Sequence, residues 1–148
     1  MERIKILLVD DDQNFLSVTK KRLAKRGYAV QTLSNGAEVF EILKVQNIQV
    51  AILDVRMPGM SGIEILKEIK KKFPLVQVIM LTGVPTVGCA SDSLKLGAIN
   101  YLIKPVELEE LLQKIKEAYE ERQRLEQKIR NTQIKIIEQK YKTNRLYE

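Results

Sequence analysis

The 148-residue chain has no histidine, no tryptophan and one cysteine, and only 5% of it is aromatic. Without histidine it cannot build Ser-His or Cys-His nucleophilic relays or most zinc sites, and it cannot act as a phosphohistidine donor. Cys89 has no partner for an internal disulfide, so nothing points to an oxidising compartment, and it reads as an ordinary small packing side chain. No apolar run reaches the ~20 residues of a membrane span. Met1 to Val9 imitates the start of a signal peptide, but its apolar run is too short and leads into three acids rather than a small-residue cleavage site. The expectation is a soluble, cytoplasmic chain. The net charge of +6 comes from 25 basic and 19 acidic residues, interleaved along the sequence. No aromatic-basic interleaving accompanies it, which argues against direct nucleic-acid binding.

Short β-branched runs alternate with amphipathic helical stretches five times. Strands are expected at 4–9, 28–32, 50–54, 77–82 and 100–103. Ile6-Leu7-Leu8-Val9, Val50-Ala51-Ile52-Leu53 and Val78-Ile79-Met80-Leu81 are apolar throughout, as a parallel sheet covered on both faces requires. The second and fifth strands are more polar and suit the edges. Helix one is expected over Gln13 to Lys25, with Phe15, Leu16, Val18, Thr19 and Leu23 inward and Gly27 as its C-terminal cap. Helix two should follow Asn35-Gly36, with Glu38 as capping partner. Ser61 and Glu64 form a capping-box pattern for helix three, which should stop before Pro74. Helix four, Val87 to Ser93, is poor in helix formers, and helix five should start near Glu107. Five strand-helix repeats predict an α/β fold: a doubly wound, five-stranded parallel sheet, flavodoxin-like, of order 2-1-3-4-5.

From Leu108 onward the chain meets no glycine or proline. At seven-residue spacing one position holds Leu108, Ile115, Arg122, Ile129, Ile136 and Thr143, and another holds Leu111, Ala118, Leu125, Thr132, Gln139 and Leu146. Helix five therefore reads as continuing into a coiled coil that makes the chain a parallel homodimer through residues 108–146, with Arg122, Thr132 and Gln139 weakening the seam; the alternative is a solvated or frayed helical tail, or a linker within a longer chain. The expected division is a domain over 1–119 and a helical or coiled-coil extension over 120–148.

The chemistry lies at strand ends. Asp10, Asp11 and Asp12 close the first strand, Asp54 the third and Thr82 the fourth, and Lys104 follows the fifth. Carboxylates that end buried parallel strands face the carboxyl edge of the sheet, where such folds place ligands. Asp10, Asp11 and Asp54 supply the partial oxygen shell that magnesium accepts, and a divalent cation accounts for their crowding. Asp54 could serve as a nucleophile forming an acyl phosphate, with Lys104 and Thr82 placed to stabilise the phosphoryl oxygens.

Four segments together carry a specific resemblance: Val9-Asp10-Asp11-Asp12, Asp54 with Met57-Pro58-Gly59-Met60-Ser61-Gly62, Thr82-Gly83, and Tyr101-Leu102-Ile103-Lys104-Pro105. In order and spacing, over residues 4 to about 119, the chain resembles the receiver domain of bacterial two-component response regulators. The resemblance implies that Asp54 is the phosphoacceptor for a sensor histidine kinase. It further implies that Asp10, Asp11, Asp54 and the Arg56 backbone carbonyl bind Mg2+, and that Lys104 and Thr82 contact the phosphoryl group. Thr82 and Tyr101 would form the conformational switch, and the Lys104–Pro105 bond would be cis. Asp12 reads as a helix cap. Arg56 and Val84 occupy positions that tune phosphoryl lifetime in that family.

The implied protein is a switch that catalyses only its own phosphoryl transfer and dephosphorylation. It carries no recognisable output domain, so it acts by protein contact or is part of a larger regulator. Two rival readings differ in class. A phosphorylation-independent interaction module would show no response to fluoroberyllate. An aspartyl-phosphate phosphohydrolase is suggested by Asp10-x-Asp12, but it expects threonine where this chain has Asn14.

Overall fold

The structure is a computed structural model and describes residues 3–146, with the backbone alone at Leu146. Ten elements alternate: β1 (Lys5–Val9), α1 (Gln13–Lys25), β2 (Ala29–Leu33), α2 (Val39–Val45), β3 (Val50–Asp54), α3 (Gly62–Lys72), β4 (Gln77–Thr82), α4 (Val87–Lys95), β5 (Asn100–Ile103) and α5 (Leu108–Leu146). All strand pairs are parallel, and the sheet order is β2-β1-β3-β4-β5, as the pattern predicts.

Alternation along each strand divides the core in two. Leu7, Val9, Ala51, Leu53, Val78 and Met80 face the layer formed by α2, α3 and α4. Ile6, Leu8, Val50, Ile52, Ile79 and Leu81 face α1 and α5. Every residue of β3 and β4 is buried, which explains their unbroken apolar runs. The outer strand β2 is only half-buried, and Ile103 of β5 is exposed.

Local signals set most helix ends. Asp12 accepts the Phe15 amide at 3.1 Å, and Gly27 follows α1 with φ +93°, a backbone angle that favours glycine. Ser61 accepts the Glu64 amide at 3.3 Å, and α3 stops at Lys72, just ahead of Pro74. Two expectations fail. Helix α2 begins at Val39, and Glu38 makes no side-chain capping bond. Instead the Asn35 side chain accepts the Ala37 amide at 2.9 Å, closing a local turn that competes with helix in this segment. Val18, expected inward on α1, is exposed, and Leu16, Thr19 and Leu23 carry the packing.

The largest revision concerns α5. Leu111, Ile115 and Ala118 are fully or nearly fully buried against the sheet, so these heptad positions serve the chain's own core and are closed to a second chain. Arg122, expected to weaken an intermolecular seam, is itself buried. Its guanidinium donates to the Ile48 carbonyl at 2.8 Å, the Asn47 side chain at 3.0 Å and Glu126 at 2.6 Å. Polar residues inside a core persist when their hydrogen bonds are satisfied, and these three satisfy Arg122. Residues 127–145 are exposed along their whole length. The side chain of Leu146, the last expected seam residue, lies outside the described residues. No helix among the described residues is long and apolar enough to cross a membrane.

Candidate functional site: an acidic pocket at the carboxyl edge

The strand registers bring the ends of β1, β3, β4 and β5 side by side. Asp54 is paired with Leu81, the residue before Thr82, and Thr82 with Ile103, the residue before Lys104. Asp10 follows Val9, which pairs with Leu53. One carboxylate oxygen from each of Asp10, Asp11 and Asp54 lies within 4.8 Å of the others. Asp10 and Asp54 are buried, whereas Asp11 is exposed, so the cluster opens to solvent on one side.

Hydrogen bonds hold the acids in place. Asp10 accepts the Asp12 amide at 2.9 Å through Oδ1, and its Oδ2 lies 2.5 Å from the Lys104 ammonium. Asp54 accepts the Arg56 amide at 3.3 Å. Burial pushes the Asp54 carboxyl up from 3.8 to about 6, and Asp10 adds to the rise. The Arg56 amide and the Lys104 charge oppose it. One ammonium against three carboxylates leaves a surplus of negative charge. Such a pocket favours a small divalent cation bound by oxygen ligands, and these three acids fit that role.

The remaining residues frame the pocket. Thr82 is 1% exposed, and its hydroxyl oxygen accepts the Val84 amide at 3.1 Å, leaving the hydroxyl proton free to donate. The Lys104 amide donates to the Thr82 carbonyl at 2.8 Å, tying the end of β5 to that of β4. The Lys104–Pro105 peptide is cis. Tyr101 is half-buried against the α2–α3–α4 core, and its hydroxyl has no hydrogen-bond partner among the described residues. Cys89 is a free, half-buried thiol packed against the same core.

Two residues matter here in ways the sequence did not reveal. The Lys104 ammonium lies 4.3 Å from the centre of the Phe15 ring, a cation–π contact that holds its stem from the α1 side. In the sequence Phe15 is one of several apolar residues on α1, and nothing marks its ring for this use. Gly62 reads as part of a helix-capping pattern. In the fold a Cβ there would stand 2.0 Å from the Asp54 carbonyl oxygen, so the first turn of α3 presses directly on the backbone that carries Asp54.

A sequence model of the response regulator receiver domain matches residues 6–116. The chain belongs to that family. It is 36% identical over 134 residues to the DNA-binding transcriptional regulator NtrC of Escherichia coli K12, a match covering 90% of this chain but only 28% of that protein. Among solved structures, a response regulator receiver domain from Clostridium thermocellum is 38% identical with a TM-score of 0.78, covering 82% of this chain and 98% of that one. The beryllofluoride-activated NtrC4 receiver domain dimer is 34% identical with a TM-score of 0.76, covering 80% and 98%. The receiver is thus a two-component response regulator module, and it spans only 28% of the length of the Escherichia coli regulator it matches.

Proposed function

We propose that the receiver takes a phosphoryl group from a sensor histidine kinase onto Asp54 and that the resulting acyl phosphate drives its conformational switch. An Asp54 carboxylate oxygen attacks phosphorus, the P–N bond of the phosphohistidine breaks, and its electron pair returns to the imidazole nitrogen. The observation that carries this reading is the convergence of Asp10, Asp11 and Asp54 beside a lysine held by only one of them. Asp10, Asp11, Asp54 and the Arg56 carbonyl would hold Mg2+, which supplies positive charge to the transferring phosphoryl oxygens. Lys104 exchanges Asp10 for a phosphoryl oxygen. Thr82 donates its hydroxyl proton to another, drawing the end of β4 inward.

The switch then passes outward. A shift of Thr82 opens room that Tyr101, whose hydroxyl has no hydrogen-bond partner among the described residues, can fill, which alters the surface formed by α4, β5 and α5. Helix α4 is the natural element to yield, given its glycine and its lack of strong helix formers. The exposed stretch of α5 beyond Arg122 supports a homodimer, and the dimeric NtrC4 receiver is a relative of similar fold.

The test is labelling with a small-molecule phosphodonor. Wild type should take up acid-labile, base-labile phosphate, as an acyl phosphate requires, only with a divalent cation, and Asp54→Asn should take up none. Equal labelling of the variant removes Asp54 from this role.

A further inference from the structure

The exposed end of α5 is unlike the helix that precedes it. Residues 127–146 carry six basic residues, Lys128, Arg130, Lys135, Lys140, Lys142 and Arg145, against the single acid Glu138, a net +5. Residues 107–126 carry seven acids against four bases, a net −3. The basic half also exposes Ile129, Ile134, Ile136, Ile137 and Tyr141, with Ile137 at 66% and Tyr141 at 62%. Nothing in the described chain covers them.

A complementary surface lies on the receiver. The edge strand β5 is flanked in sequence by α4 and α5, and the three elements expose Val87, Leu94 and Ile103. Acids accompany these apolar residues: Asp92 on α4, Glu107 just before α5, and Glu110 and Glu117 within its first three turns, with the Asn100 side chain of β5 beside Glu117. Lys95 and Lys114 are the bases among them.

The tail cannot reach its own chain's α4–β5–α5 face. Helix α5 runs unbroken from Leu108 to Leu146, and its last 24 residues carry the chain about 36 Å past Arg122 at 1.5 Å per residue. A parallel pair of such tails would set +5 beside +5 within a Debye length and line up Thr132 and Gln139 in the seam. An antiparallel pair places each basic tail against the other chain's acidic, partly apolar receiver face. Both contacts form at once about a two-fold axis.

We propose that residues 127–146 of one chain dock antiparallel on the α4–β5–α5 face of a second copy, with the exchange reciprocal. This rests on the dimer reading above but not on the chemistry of Asp54. The dimer is therefore measured without phosphodonor, and Asp54→Asn should leave it intact even if labelling fails.

The full chain, carrying Cys89→Ser, is studied by sedimentation with increasing salt. The inference expects a dimer whose Kd rises at least about tenfold between low and high ionic strength. Glu110→Lys with Glu117→Lys should weaken it about tenfold or more, and adding Lys135→Glu with Lys142→Glu should restore it. Gln139→Cys should not cross-link to itself. A dimer whose affinity is unchanged or strengthened by salt, failure of the paired reversal to restore it, or ready self-cross-linking at position 139 overturns the antiparallel exchange while leaving a dimer. A monomer throughout, including one that binds duplex DNA or anionic vesicles through the tail, overturns both.

Discussion

Lys104 and Asp10 stand 94 residues apart in sequence and 2.5 Å apart in the pocket. The lysine side chain is 21% exposed and the aspartate 2%, so the pair is sheltered but reachable. Phe15 flanks the ammonium from the other side. Without a phosphoryl group the lysine neutralises Asp10, and an incoming phosphoryl oxygen must compete for it. Lys104→Met should therefore still accept label at Asp54 but lose the fluoroberyllate-induced change around Tyr101. Tyr101 ring resonances followed by NMR give the measurement, and a full shift in the variant would separate Lys104 from the switch.

Asp54 makes the receiver's stability depend on pH. Its carboxyl releases its proton near pH 6 in the folded chain against 3.8 when unperturbed. The folded state thus holds this proton more tightly, and the cost of ionising Asp54 is absent below about pH 3.8 and complete above pH 6. Asp54→Asn should raise stability at pH 8 by about 1–2 kcal/mol, discounted for screening at the pocket mouth, and by nearly nothing at pH 4. Urea melts at both pH values decide it, and a uniform gain would assign the effect to packing instead.

A divalent cation should relieve the same crowding. Mg2+ at 100 times its Kd should stabilise wild type by about 2.7 kcal/mol, and Asp11→Ala should need far more metal for the same gain. Asp11 is the exposed member of the cluster, so its removal leaves the core intact. Thermal melts across a magnesium titration measure this; identical curves for the two proteins would remove Asp11 from the site.

Gly62→Ala should be costly out of proportion to one methyl group. The added Cβ meets backbone at 2.0 Å rather than a side chain that could turn away. The expected loss is about 2–3 kcal/mol, with slower labelling of Asp54 because the loop that carries it must shift. A variant as stable and as quickly labelled as wild type would show that the α3 start can retreat.

Arg122 ties α5 to the loop before β3, so where the chain is cut matters. A chain ending after Tyr119 loses all three Arg122 bonds, whereas one ending after Gln127 keeps them. The shorter chain should be less stable by about 1–3 kcal/mol. Equal denaturation midpoints would mean that water replaces the guanidinium at the Ile48 carbonyl without loss.

The sequence determined the five strands, because three of them had to be apolar on both faces, and their ends announced Asp10, Asp54, Thr82 and Lys104. It also fixed the caps at Asp12 and Ser61, whose bonds reach only three residues along the chain. Tertiary structure decided whatever depends on neighbours distant in sequence. Phe15 meets Lys104 only because the segments that follow β1 and β5, strands with two others between them in the sheet, come together at its carboxyl edge, and Gly62 matters because α3 starts against the carbonyl of Asp54. The heptad pattern of α5 was legible as an apolar stripe, but a stripe does not say what covers it. Its first half packs on the receiver's own sheet because strand and helix lengths bring them together, and Arg122 is polar there because a backbone carbonyl awaits it.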